Sequence, residues 1–246
     1  MSQAWKSDAE STDTLGWLAL AGTVAFLGGA GIYMLASSTL GTRFTNALDP
    51  IFALSSVQVM WYITRASGLM AYFLLWLSTA WGLAVSSKII DRILHRSFTY
   101  DYHQFISLLS IGFVALHVGI LMFDRYLPYT LTQILVPFLS PYRPFWVGLG
   151  VISLYLILLV TVTFYIRGRI GTRAFRSIHV LSLVAYLGVA AHAVFAGTDS
   201  ALWFTRVLYV GTFLSVVFLT TYWLMIGLQN RLSALLTGPQ PTRKIR

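Results

Sequence analysis

Six stretches of the chain are apolar for long enough to cross a bilayer, and each must be helical, because lipid offers a bare backbone no hydrogen-bond partners. A span needs about 20 mostly apolar residues at a rise of about 1.5 Å per residue. The stretches run Leu15–Ala36, Val59–Val85, Tyr102–Met122, Phe145–Ile166, Ile178–Ala196 and Trp203–Leu228. Only 10% of the 246 residues are charged, against about a quarter in soluble domains. That excludes a soluble globular enzyme and a disordered chain. The lack of cysteine removes disulfides, thiolate metal sites, Cys nucleophiles and ordinary iron–sulfur ligation. The reading is an all-α integral membrane protein: a six-helix bundle over residues 15–228, with an N-terminal tail (1–14) and a basic C-terminal tail (229–246).

The first span exceeds the 7–15 apolar residues of a signal peptide. Asp8, Glu10 and Asp13 precede it, so it reads as a retained helix. The formal net charge of +9 lies in short loops between apolar runs, which argues for topology and against nucleic acid. With a cytoplasmic N-terminus, twelve of the seventeen Lys and Arg residues fall inside; Arg43, Arg65, Arg125, Arg143 and Arg206 stay outside. Both termini are then cytoplasmic, in a multi-pass protein of the cell membrane. The third and fifth spans run parallel, from inside to outside. The outer connection between the third and fourth spans holds Pro128, Pro137, Pro141 and Pro144, and Leu131 to Leu139 reads as a short interfacial segment.

The histidines are placed selectively. His95 lies in a basic inner loop; His103 and His117 are on the third span, and His179 and His192 on the fifth. Ionisable side chains within a bilayer are costly and mark function. The spacings of fourteen and thirteen residues separate two levels by roughly 20 Å, and each level offers one imidazole from each helix. That arrangement suits two haems, one per leaflet, each with two axial histidines. Such haems have no open iron position and favour electron transfer. Zinc or copper fits less well, because no carboxylate or thiol joins either pair. On an ideal helix, thirteen residues leave about 140° of mismatch, so either the fifth span is bent or bulged or its histidines face different sides.

These positions resemble the ferric reductase-like transmembrane family, which includes the haem domains of NADPH oxidases and ferric-chelate reductases. His103 and His117 match its H-x13-H pair, and His179 and His192 its H-x12-H pair. The resemblance extends to Arg65-Ala66-Ser67-Gly68, Ser140-Pro141-Tyr142-Arg143-Pro144 and Gly197-Thr198-Asp199-Ser200. It implies two haem b groups between the third and fifth helices, His103 paired with His179 and His117 with His192. Arg65 is a candidate partner for a haem propionate or an acceptor anion, or an interfacial snorkelling residue. Arg173 and Arg176 are topological or meet an inner propionate.

The family's eukaryotic enzymes carry a flavin and nicotinamide region after the sixth helix. The eighteen residues that follow it here hold no G-x-G-x-x-G strand–helix unit,. The expectation is therefore a haem-bearing subunit carrying single electrons to an outer acceptor, which would be ferric iron, oxygen, quinone or an exported redox protein. FAD and NAD(P)H act only through a separate flavoprotein, or quinol is the donor. Alternatives are the membrane partner of a periplasmic methionine sulfoxide reductase and, in another class, a proton-relay channel or carrier.

The cysteine-free chain makes topology testable. A membrane-impermeant maleimide should label Thr132→Cys in intact cells and label Thr172→Cys only after permeabilisation.

Overall fold

The computed structural model describes residues 57–90, 94–123, 127 and 129–237, together with Thr39 and Arg43. The expected first span Leu15–Ala36, the N-terminal tail and residues 238–246 lie outside the described residues. Regular structure among the described residues is helical throughout: α1 (Val57–Ser86), α2 (Arg96–Phe123), α3 (Leu131–Leu135), α4 (Pro144–Tyr165), α5 (Arg167–Ile170), α6 (Thr172–His179), α7 (Leu181–Ala196) and α8 (Trp203–Thr237). A 3-10 turn, Thr198–Ala201, joins α7 to α8. Five segments are long and apolar enough to cross a membrane: α1, α2, α4, α6 continued by α7, and α8. They match the second to sixth expected spans. "Inner" and "outer" below follow the charge-based orientation.

Two ends differ from expectation. α2 begins at Arg96 rather than Tyr102; the His95 carbonyl accepts from both Thr99 N (3.1 Å) and Thr99 Oγ1 (3.0 Å), which closes an extra first turn. α8 continues nine residues past Leu228 to Thr237, because Gln, Asn, Arg and Leu all tolerate a helix and the first breaker is Gly238-Pro239,. The short outer segment is helical over Leu131–Leu135, and a reciprocal Thr130–Gln133 capping box starts it,.

α1 is the organising element. It packs along α2, α7 and α8, while α4 packs along α7. α2 and α7 lie on these neighbours rather than along each other, leaving a cleft between the two histidine-bearing helices. The core joins α1, α7 and α8 through Tyr72, Leu75, Leu83, Tyr186 and Val216. Tyr186 is 0% exposed and Tyr72 2%, so their hydroxyls need internal partners. Tyr72 Oη lies 2.5 Å from Thr212 Oγ1 and 3.4 Å from Tyr186 Oη. Trp76 Nε1 donates to Ser215 Oγ at 2.8 Å. Meanwhile α8 turns Val207, Val210, Leu214 and Phe218 outward, the arrangement that suits surrounding lipid.

α4 and α7 approach closely at Gly188, where an added Cβ would collide with Ser153 Oγ. Gly188→Ala should lower stability by about 1–3 kcal/mol, and adding Ser153→Ala should restore much of it. Thermal unfolding in detergent compares the variants. Tyr72→Phe, which removes one buried hydroxyl, should cost about 1 kcal/mol in the same assay.

Candidate functional site

Each of three intramembrane histidines lies against a helix glycine. A helical side chain covers the turn N-terminal to its own Cα. A glycine therefore bares the backbone, or the side chain, four residues earlier. An added Cβ on Gly68 would stand 2.8 Å from His117 Nδ1, one on Gly150 2.9 Å from His192 Nδ1, and one on Gly82 3.2 Å from His103 Cε1. No ordinary side chain fits the first two places without displacing the ring.

At the outer level, the uncovered groups are backbone carbonyls. His117 Nδ1 is 2.7 Å from the oxygen of Thr64, four residues before Gly68. His192 Nδ1 is 3.0 Å from the oxygen of Trp146, four residues before Gly150. A carbonyl only accepts, so Nδ1–H is the donor in both bonds. The neutral ring then carries its free lone pair on Nε2.

At the inner level, the His103 and His179 ring centroids are 6.1 Å apart, with planes inclined at 74°. Metal–imidazole bonds are about 2 Å long. Two such bonds in line, with the ring radii added, would put the centroids about 6 Å apart or slightly more, close to the observed spacing, which is also that of an edge-to-face ring contact,. Ser107 Oγ donates to the His103 carbonyl at 2.7 Å and lies 2.6 Å from Ser78 Oγ. Each hydroxyl has one proton. Ser78 therefore donates to Ser107; its Oγ lies 3.4 Å from His103 Nδ1, and its backbone also hydrogen-bonds that ring. His179 Nδ1 is buried with no partner among the described residues. Ser182, Thr161 and Thr79 help line the cleft beside this pair.

The thirteen-residue spacing is accommodated by a break rather than by opposed faces. Helix α6 ends at His179 and α7 begins at Leu181. Leu183 N bonds Val180 O at 3.0 Å, an i→i+3 closure. Tighter 3-10 turns add rotation per residue, which reduces the mismatch. The irregularity is at Val180, and Gly188 instead serves the α4–α7 crossing.

Arg65 has a protein partner. Its guanidinium pairs with Asp199 and lies 3.7 Å from the centroid of Trp61. This pins the turn after α7 to α1, one residue from the carbonyl that holds His117. The other loop motifs also secure helix ends. Ser200 Oγ donates to Ala193 O (3.2 Å) and Gly197 O (3.1 Å). Arg143 donates to Phe195 O, so carbonyls at the C-terminal end of α7 gain side-chain partners. His95, Arg173 and Arg176 are exposed.

The sequence reasoning missed the glycines. Their signal was present: Gly68 and Gly82 are fourteen residues apart on the second span, as His103 and His117 are on the antiparallel third.

No protein-family model matches the chain, no curated protein matches it, and no solved structure matches it.

Arg65→Ala leaves a mostly buried Asp199 carboxylate without its counter-ion and should cost about 1–3 kcal/mol. Arg65→Ala combined with Asp199→Ala should be more stable than Arg65→Ala alone. A double-mutant cycle of melting temperatures reads the coupling.

Proposed function

We propose that this chain is a haem-bearing membrane subunit that carries single electrons across the bilayer to an outer acceptor, and that it belongs with the ferric reductase-like haem domains it resembles. The observation that carries the reading is the inner imidazole pair, His103 and His179, with ring centroids 6.1 Å apart. Among the described residues no three His, Cys, Asp or Glu side chains come together. A zinc site normally takes three or four protein ligands. Two imidazoles suffice for a group that brings its own four equatorial nitrogens, as haem does.

On this reading His103 and His179 hold the inner haem iron, and His117 and His192 the outer one, all through Nε2. Haem bound there would supply a one-electron couple. The protein does the rest. Thr64 and Trp146 hold the outer imidazoles as Nδ1–H tautomers, which presents Nε2 as the donor. Ser78 does the same for His103. Trp61 and Asp199 hold Arg65 at the outer end of α1. Electrons enter from a separate flavoprotein or from quinol. The acceptor is ferric iron, oxygen, quinone or an exported redox protein.

The experiment is a reduced-minus-oxidised spectrum of the purified full chain and its histidine variants. Dithionite should produce b-type bands. His103→Ala and His179→Ala should each retain about half of the haem, and the two together should retain the same half. Loss of both haems from a well-folded single variant would contradict independent levels. NADPH alone should leave the protein oxidised until a flavoprotein is added; rapid reduction without one would refute the separate donor.

A further inference from the structure

The two levels differ in how their imidazoles are hydrogen-bonded, and the difference has a redox consequence. At the outer level both Nδ1–H groups donate to backbone carbonyls, at 2.7 and 3.0 Å. At the inner level His103 sits at Ser78, with the hydroxyl at 3.4 Å and a backbone hydrogen bond, while His179 Nδ1 has no partner among the described residues. A strong acceptor on Nδ1–H makes the ring a more basic ligand. More basic axial ligands stabilise the ferric state over the ferrous.

Two glycines make the outer bonds possible. Gly68 and Gly150 stand on different helices, α1 and α4, yet each lies four residues after the accepting carbonyl. In each, a Cβ would fall within 3 Å of an imidazole nitrogen. The inner notch at Gly82 is looser, at 3.2 Å, and bares Ser78, four residues earlier, to His103. No glycine among the described residues lies against His179 in this way.

We propose that Gly68 and Gly150 are positioning residues that seat His117 and His192 on helix carbonyls, and that they thereby hold the outer haem at a lower reduction potential than the inner one. This rests on the haem reading above. An electron entering from inside then settles on the inner haem, while the outer haem, when reduced, is the stronger reductant toward the acceptor.

Potentiometric titration of the purified full chain, followed by haem absorbance, tests this. The wild type should show two one-electron components. His103→Ala should retain only the lower one and His117→Ala only the higher one, which assigns them to levels. Gly68→Ala should raise the lower component so that its ferric-to-ferrous ratio at fixed potential falls roughly tenfold, about 59 mV for one electron, and leave the higher one in place. Gly112→Ala, on the same helix as His117 with nothing within 4 Å of its added Cβ, should change neither. Gly150→Ala repeats the test through Trp146 and His192 if Gly68→Ala fails to fold. Loss of the outer haem alone from either glycine variant also supports the positioning role. The inference is overturned if the outer haem has the higher potential in the wild type, or if the glycine variants shift the inner component or neither. A wild type without haem sinks the functional reading itself, and that outcome is distinct from all of these.

Discussion

Inside a bilayer an imidazole N–H has few places to go. Water is scarce, and the backbone carbonyls of the surrounding helices are already paired within their own helices. His117 and His192 meet this constraint by using the second lone pair of a helix carbonyl, at Thr64 and Trp146. That lone pair is reachable only where the residue one turn later has no side chain. The orientation of the donor nitrogens, and with it the chemistry open to the site, depends on Gly68 and Gly150. The same bond fixes the tautomer, so packing and ligand chemistry are one problem here.

α1 carries most of the supporting structure. On one side its glycines seat His117 and His103, and Trp81 Nε1 ties its inner half to Thr99 O of α2 at 3.0 Å. On another, Tyr72 and Trp76 bond α8. At its outer end Arg65 holds the turn after α7 through Asp199. α2 and α7 can therefore stand apart across a cleft and still be held in register. Tyr72 and Tyr186, both buried, lie at an intermediate height between the two histidine levels, where the bundle is closed and tightly bonded.

Much of this was legible in the sequence. Long apolar runs dictate helices in lipid, so the five described spans follow closely. Two histidines on each of two parallel spans place imidazoles at two heights by helix rise alone. What sequence reasoning could not supply came from contacts between distant segments. The partner of Arg65 is Asp199, 134 residues away, and no local pattern connects them. The thirteen-residue spacing signalled an irregular helix, but its position at Val180 depends on where α6 ends against its neighbours. The end of α8 was misjudged because hydropathy falls at Gln229 while helix propensity does not. The glycine notches were readable in principle, since their fourteen-residue spacing repeats that of the histidines opposite. Glycine in an apolar span also has a plainer use in close helix packing, as Gly188 shows.

On the proposed function the chain holds two haems, and the most direct measurement is the haem content of the intact protein. The purified chain from haem-replete cells, converted to the pyridine haemochrome and compared with its protein concentration, should contain two haem b groups per chain. A folded, colourless protein would contradict the account at its centre.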